Sequence, residues 1–239
     1  MNSIISPFRF IFWGIWSAIC MSGAIISAVL TLNSKIALWM QKNIWVHGAL
    51  FIPGAQLNIT HNDSVDYSNP HVFVANHQSY IDIPAAIRAV DCPLYFIAKK
   101  ELKWLPFLGW YVIATGMILI DRSNRKKAFK SLETAAKMIK GGKSILAFPE
   151  GTRSKNGELN KFKKGAFMLA IQAGVPIVPI AISGTETIFP ATKMQLIPGK
   201  IKLTICDPIS TEGYTKETVD ELMAKTKESV QMAKIILEN

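Results

Sequence analysis

The stretch HVFVANHQSYID, residues 71–82, places a short apolar run directly before a cluster of polar side chains. The run His71–Ala75 predicts a buried strand, and Pro84–Val90 has the spacing of a helix. A strand that ends in polar residues and passes into a helix is the repeating unit of a parallel α/β sheet. This stretch therefore predicts one strand–helix unit of such a sheet.

The same alternation continues along the 239-residue chain. Further predicted strands are Leu94–Ala98, Gly116–Ile120, Ser144–Phe148, Ile177–Ile182 and Lys200–Cys206, and further predicted helices are Ala128–Ile139, Phe162–Gln172 and Thr215–Glu238. Strands that alternate with helices in this way indicate crossover connections. We therefore predict an α/β fold with a largely parallel central sheet flanked by helices, and we assign residues 61–239 to it.

Residues 1–60 have a different character, with Arg9, Lys35 and Lys42 as their basic residues and no acid. Between Arg9 and Lys35 lie 25 uncharged residues, which would form a helix of about 37 Å, against ~30 Å for the hydrocarbon core of a bilayer. Residues 36–46 repeat apolar side chains at helical spacing, which suits a helix in the headgroup plane. We expect residues 1–60 to form a two-helix membrane-attachment motif, with an ordinary buried helix pair as the alternative. The first helix could span the bilayer or lie in one leaflet.

Tryptophans are concentrated in this N-terminal region, which contains four of the six: Trp13, Trp16, Trp39 and Trp45. Tryptophan prefers the membrane–water interface, where its ring is buried and its N–H stays hydrated. We therefore expect these rings to lie at a membrane surface.

Composition narrows the possible partners. The 27 basic residues exceed the 17 acidic ones by ten, which indicates an anionic partner. Nucleic acid is disfavoured because the aromatic residues are concentrated in the uncharged N-terminus and are not interleaved with basic ones. Three scattered cysteines indicate neither a disulfide framework nor a zinc site, and we expect no metal centre.

The polar cluster at residues 76–82 contains a candidate general base, His77, and a carboxylate, Asp82. Because Pro84 suits the first turn of a helix, Asp82 is predicted to be the N-cap of that helix. The same carboxylate could accept a hydrogen bond from the imidazole and leave its other nitrogen free as a base. The alternative is that Asp82 only caps the helix and His77 is an ordinary loop residue.

Two further predicted strands end in potentially reactive residues. The sequence FPEGTR, residues 148–153, combines a glycine that permits a tight turn with an arginine suited to phosphate, and Asp121-Arg122 follows another strand. Taken alone, FPEGTR is most simply a turn with charged residues, and Asp121-Arg122 is most simply a surface ion pair. The carboxyl edge of an open parallel sheet is, however, where ligands bind, so the three clusters together predict one ligand site.

The motifs NHxSxxD at 76–82, IDR at 120–122, FPEGTR at 148–153 and VPIVP at 175–179 occur in the order that is typical of the glycerolipid acyltransferases. The chain resembles that family, and most strongly its branch that acylates 1-acylglycerol 3-phosphate. Leu119 differs from the phenylalanine of many members. The resemblance implies transfer of a fatty acyl group from an acyl thioester to the free sn-2 hydroxyl of lysophosphatidate, which gives phosphatidate in phospholipid biosynthesis.

The resemblance also implies roles for individual residues. His77 would be the catalytic base and Asp82 would orient it. The acceptor would be held by six further residues: Lys100, Arg122, Glu150, Gly151, Thr152 and Arg153. No cofactor is implied, and the co-substrate could be acyl-CoA or acyl carrier protein.

Several alternatives remain at this stage. A hydrolase would need a nucleophilic serine in a G-x-S-x-G turn, which the sequence lacks. A different lysophospholipid acceptor, or a non-catalytic protein that binds membrane lipid, fits the same motifs. We expect attachment to the cytoplasmic face of a membrane, namely the inner (plasma) membrane of a bacterium.

Overall fold

The computed structural model describes residues 2–121 and 125–238. The strands in these ranges are β1 Ala55–Thr60, β2 Val72–Ala75, β3 Leu94–Lys99, β4 Ile118–Ile120, β5 Ser144–Ala147, β6 Ile177–Ser183 and β7 Gly199–Ile205. The helices are α1 Asn2–Thr31, α2 Ser34–Met40, α3 Val46–Phe51, α4 Asp82–Ala89, α5 Leu108–Ala114, α6 Arg125–Lys140, α7 Gly165–Ala173, α8 Thr185–Ile188 and α9 Val219–Glu238. A π-helical turn occupies Gln41–Trp45, and a 3₁₀ turn occupies Lys100–Trp104.

These strands form one sheet in the order β1-β7-β6-β2-β5-β3-β4. Neighbouring strands are parallel except β6 and β7, which are antiparallel. The prediction of a largely parallel sheet flanked by helices is confirmed. β2, β5 and β6 lie at its centre and are buried along their whole length, which explains their continuous apolar sequences.

Alternate side chains of the central strands enter two hydrophobic layers. Val72 and Val74 of β2 pack with residues of α5, α6 and α7, whereas Phe73 and Ala75 pack on the other face with residues of α3, α4 and α8. Successive side chains of a strand point to opposite faces, so four residues of β2 contribute to both layers. Both faces of the sheet are therefore covered by helices.

Residues 55–60 lie in β1, an edge strand that pairs in parallel with β7. The prediction placed them in the N-terminal membrane motif, so the structure moves this stretch into the sheet. The reason is visible in the strand: Leu57 and Ile59 are half-buried, and they alternate with exposed polar residues. The division into residues 1–60 and 61–239 stays a prediction, but the sheet itself begins at Ala55.

The N-terminal segment forms a long helix followed by shorter helical pieces. Residues 5–31 of α1 are long and apolar enough to cross a membrane by length and composition, with a mean hydropathy of 1.7 in the most apolar window. Only 17% of that window is buried in the protein. The second predicted helix, 36–46, is observed as α2, the π-helical turn and α3, which together reach Phe51. Asn33 begins α2, because its Oδ1 accepts the N–H of Lys35 at 2.9 Å.

Three of the four N-terminal tryptophans have a structural role that the sequence did not predict. Trp13 Nε1 donates to the carbonyl of Ala49, and Trp16 Nε1 donates to the carbonyl of Trp45, both at 3.0 Å. Trp45 Nε1 donates to Ser17 Oγ at 3.1 Å. These indole N–H groups therefore join α1 to the second helical segment, and only Trp39 of the four is largely exposed, at 59%.

Candidate active site

Adjacent central strands deliver the candidate site residues to the carboxyl edge of the sheet. β2 lies between β5 and β6, and each of these three strands ends at this edge because they are parallel. His77 follows β2, Glu150 follows β5 and Thr185 follows β6. The sequence prediction that polar residues at strand ends share one edge is thus matched by the topology.

The imidazole of His77 contacts the carboxylate of Asp82. The distance from His77 Nδ1 to Asp82 Oδ2 is 2.8 Å, and the side chains are 15% and 0% exposed. The same Oδ2 accepts the backbone N–H groups of Gln78 and Ser79, each at 2.7 Å. A carboxylate oxygen accepts hydrogen bonds, so Nδ1 of His77 is the donor in this contact. In the neutral imidazole, Nε2 then carries the lone pair. The geometry can therefore support a general base at Nε2.

The prediction that Asp82 is the N-cap of its helix is wrong. Ile81 occupies the N-cap position and Asp82 is the first residue of α4. Its carboxylate is directed back to the N–H groups that precede the helix, so it closes the 77–79 loop. Pro84 lies in the first turn, as predicted.

Thr185 completes the environment of Asp82, and sequence reasoning missed it. Thr185 Oγ1 donates to Asp82 Oδ1 at 2.5 Å, and both residues are fully buried. The preceding residue must be glycine: Gly184 has a φ of +91°, and a Cβ there would lie 2.2 Å from the carbonyl oxygen of Lys200. A buried carboxylate is costly unless its oxygens are hydrogen-bonded, and Thr185 supplies the hydrogen bond to Oδ1.

Phe148 packs on the imidazole of His77. The two ring centroids are 4.1 Å apart, and the rings are nearly parallel, with an interplanar angle of 22°. Phe148 is the first residue of the FPEGTR motif, for which the sequence suggested no individual role. The stack limits rotation of the imidazole and shields one of its faces from water.

Glu150 has a different environment from that predicted for a substrate contact. Its Oε1 accepts the N–H of His77 at 2.7 Å, and its Oε2 accepts the N–H of Asn160 at 3.0 Å. The residue is only 4% exposed. The N–H of Ser154 also donates to the His77 carbonyl at 2.7 Å. Glu150 therefore ties the FPEGTR loop to the backbone of His77, and its geometry supports a positioning role.

Arg153 lies over the ring of Tyr80. The guanidinium carbon is 3.8 Å from the ring centroid, and Tyr80 in turn packs against Phe189 at 5.3 Å between centroids. A guanidinium stacked on an aromatic face directs its N–H groups outward in its own plane, where they can form a bidentate contact with an anion. Tyr80 is thus a second residue that sequence reasoning missed, although it lies inside the NHxSxxD motif.

Gly151 and Thr152 form the turn before Arg153. Gly151 has a φ of +75°, and a Cβ there would lie 2.6 Å from the ammonium nitrogen of Lys163. The positive φ is what favours glycine here, because the tip of the Lys163 side chain could move aside. Lys163 adds a positive charge beside the motif. Thr152 is exposed.

The remaining predicted contacts lie near β3 and β4. Lys100 follows β3, and its Nζ contacts Asp121 Oδ2 at 3.2 Å, so part of its charge is already balanced. Asp121 follows β4 at the same edge of the sheet. Arg122, the other predicted phosphate contact here, lies outside the described residues.

Comparisons with known proteins identify the family of this chain. The family model described as "Acyltransferase" matches residues 56–183, which is more than half of the chain. A 1-acyl-sn-glycerol-3-phosphate acyltransferase of Saccharomyces cerevisiae is 35% identical over 213 residues, 87% of this chain and 70% of the relative. The Escherichia coli protein of the same name is 39% identical over 163 residues, 68% of this chain and 65% of the relative. The chain thus spans about two thirds of the length of these relatives.

A solved structure is similar along the whole chain. It is the crystal structure of the 1-acyl-sn-glycerophosphate (LPA) acyltransferase PlsC from Thermotoga maritima, with a TM-score of 0.84 and 26% identity, covering 100% of this chain and 98% of that one. The residues that the family model matches include the NHxSxxD and FPEGTR motifs of this chain, which the sheet brings together. The match to the family model and the identity to these relatives show that the chain belongs to the acyltransferase family.

Proposed function

We propose that this chain transfers an acyl group from an acyl thioester to the free sn-2 hydroxyl of 1-acylglycerol 3-phosphate, which gives phosphatidate. The observation that carries the proposal is the His77–Asp82 contact at the carboxyl edge of the sheet. The relatives and the solved structure described above support the acceptor class, because their names state an activity on this lysolipid.

The proposed reaction begins with proton transfer to His77. Nε2 takes the proton of the sn-2 hydroxyl while the oxygen of that hydroxyl attacks the thioester carbonyl carbon. The tetrahedral species collapses, the carbon–sulfur bond breaks, and the imidazolium returns the proton to the departing thiolate. Asp82 stabilises the imidazolium through Nδ1, and Thr185 and the two backbone N–H groups hold that carboxylate in place.

The acyl group moves directly from thioester to hydroxyl in this scheme. Ser79 is the hydroxyl nearest to His77 in the sequence, but its Oγ donates to the carbonyl of Phe189 at 2.8 Å and accepts the N–H of Ile81 at 3.2 Å. The residue is fully buried. Ser79 therefore supports the loop and is not proposed as a nucleophile.

Arg153 is the best-placed candidate for the acceptor phosphate. Its guanidinium is held by Tyr80, and the flanking turn brings the ammonium of Lys163 close to Gly151. Two cations on a loop that is hydrogen-bonded to the backbone of His77 suit an acceptor with a phosphate near its reacting hydroxyl. Lys100, Arg122 and Thr152 remain predicted contacts, as does the identity of the thioester carrier.

Membrane attachment through α1 completes the proposal. Its exposed side includes Phe8, Phe12, Ile19 and Leu30. Both ends of the helix contact the rest of the protein: Ser6 Oγ accepts the N–H of Leu196, and Ala24 and Ala28 belong to the buried core. A helix fixed along its length favours insertion into one leaflet over a full crossing. The cytoplasmic face and the bacterial inner membrane remain predictions.

An acceptor panel tests the proposed function. The purified protein is supplied with labelled acyl-CoA or acyl carrier protein thioester and with lysophospholipids that differ only in headgroup. We expect the highest kcat/KM for lysophosphatidate, and the ratio between the two thioesters identifies the carrier. A preference for a lysolipid without a terminal phosphate would redirect the proposal to another acceptor, and the absence of any transfer would refute it.

A further inference from the structure

The 3₁₀ turn and α5 carry large apolar side chains that point to solvent. We call these side chains the aromatic surface: Trp104, Leu105, Phe107, Trp110 and Ile113. Trp104 is 77% exposed and Trp110 is 56% exposed. Neither the proposed chemistry nor the contacts with the acceptor use any of them. An exposed group of this size, with three aromatic rings, is a feature of surfaces that meet a partner.

The backbone conformation of this segment holds these side chains in their exposed positions. Phe107 has a φ of +60°, although it is not glycine. Gly109 packs so closely that a Cβ there would lie 2.3 Å from the carbonyl oxygen of Lys103. The rings of Phe107 and Trp110 meet edge to face, 5.6 Å between centroids. Unfavourable backbone conformations of this kind tend to occur where function requires them.

The net charge near the aromatic surface is positive, because residues 99–121 contain Lys99, Lys100 and Lys103 against Glu101 and Asp121. Residues 102–120 contain Lys103 and no acid. The Lys103 ammonium lies 4.4 Å from the ring centroid of Trp104. A lysine beside a tryptophan can keep its charge among lipid headgroups while the indole enters the more apolar region below. This pairing fits an anionic bilayer.

The aromatic surface includes residues of a helix, α5, that contacts α1. α5 packs on α1, and Tyr111 and Val112 share the buried core with Ala28. On the outside, Trp110 and Ile113 of α5 are exposed, as are α1 residues of the same half of the helix, including Ile26 and Leu30. Two elements that are distant in sequence but in contact therefore both expose apolar side chains.

We propose that the aromatic surface is a second membrane contact, which inserts into the interface of an anionic bilayer beside α1. This inference rests on the proposed attachment through α1. One helix alone would leave the protein free to rotate about the helix axis, whereas a second contact fixes its orientation. The 3₁₀ turn begins directly after β3, at the same sheet edge as His77, so this contact holds the site edge next to the lipid.

Vesicle flotation tests the inference with matched variants of the full chain. The test pair is Trp104→Ser/Trp110→Ser, and the control pair is Met232→Ser/Ile236→Ser on α9, whose side chains are 58% and 71% exposed. Vesicles contain phosphatidylcholine with or without phosphatidylglycerol. We expect the partition coefficient of the test pair to fall about tenfold, because two large apolar side chains no longer enter the bilayer. The control pair should bind like the unmodified protein. Thermal unfolding checks that both pairs are folded.

A charge variant gives an independent measurement. Lys103→Glu keeps the aromatic surface, so it should weaken binding to anionic vesicles and leave binding to neutral ones little changed. If the unmodified protein binds no vesicles, the proposed attachment and this inference both fail. If it binds and the test pair binds equally well, attachment through α1 stands and the second contact is refuted. A test pair with normal vesicle binding but a raised KM for acyl carrier protein thioester would instead make the aromatic surface a protein-docking site.

Discussion

Replacing Thr185 with valine should weaken both the fold and the catalysis, because valine keeps the shape of the side chain and loses one hydrogen bond. Oγ1 of Thr185 donates to Oδ1 of Asp82 at 2.5 Å, and both residues are fully buried. A buried acceptor that loses its donor costs about 1–3 kcal/mol. If that energy is also lost in the transition state, where Asp82 faces a charged imidazolium, kcat falls about 5–150-fold.

The assay for Thr185→Val measures thiol release from the thioester and thermal unfolding in the same detergent. Thr185→Ser is the matched control, because it keeps the hydroxyl, and its kcat should stay close to that of the unmodified protein. The KM values for both substrates should change little, because Thr185 acts through Asp82. A folded Thr185→Val protein with unchanged kcat would show that this hydrogen bond does not support the base.

Other perturbations test the base, the phosphate contact and one buried histidine. His77→Ala should lower kcat by about 10²–10⁴ without unfolding the protein, as a circular dichroism melt would check; a folded variant with near-normal transfer would remove His77 from the mechanism. Arg153→Lys should raise the KM for the phosphorylated acceptor, because one ammonium cannot replace a bidentate fork; a changed thioester KM would assign Arg153 to the other substrate. Burial lowers the pKa of His71 below its usual 6.5. Between the lowered folded pKa and 6.5 the unfolded chain therefore binds more protons at this histidine than the folded chain, and stability should fall as pH falls through that range. His71→Phe should flatten this part of the unfolding profile, and an unchanged profile would assign the effect to another group.

Much of the fold could be predicted because strand ends and helix stops are local signals. The runs around His71–Ala75 and Ser144–Phe148 are apolar throughout, as buried parallel strands require. The sequence pattern does not separate β1 from the N-terminal segment, because the strand directly follows the helices and has no charged residue at its start. Its alternation of Leu57 and Ile59 with polar residues was nevertheless present in the sequence. The antiparallel pairing of β6 with β7 depends on which strands become neighbours in the sheet. No local sequence pattern predicts that.

The candidate site was predictable in its chemistry and less so in its connections. The His77–Asp82 contact follows from a turn between two residues that are five apart, and the sequence offered it as one of two alternatives. Thr185 lies 103 residues beyond Asp82, so only the neighbouring positions of β2 and β6 bring them together. The bonds of Glu150 to backbone N–H groups could not be distinguished in advance from a contact with substrate, because a carboxylate suits both.

The central claim is that His77 activates the sn-2 hydroxyl of lysophosphatidate for direct attack on an acyl thioester. Its most direct test is mass spectrometry of the product formed from 1-acylglycerol 3-phosphate and an isotopically labelled thioester, with the unmodified protein and with folded His77→Gln in parallel. We predict phosphatidate with the label at the sn-2 position from the unmodified protein, and at least a hundredfold less from the variant. Labelled phosphatidate formed at equal rates by both proteins, or a label that appears only as free fatty acid, would contradict the account.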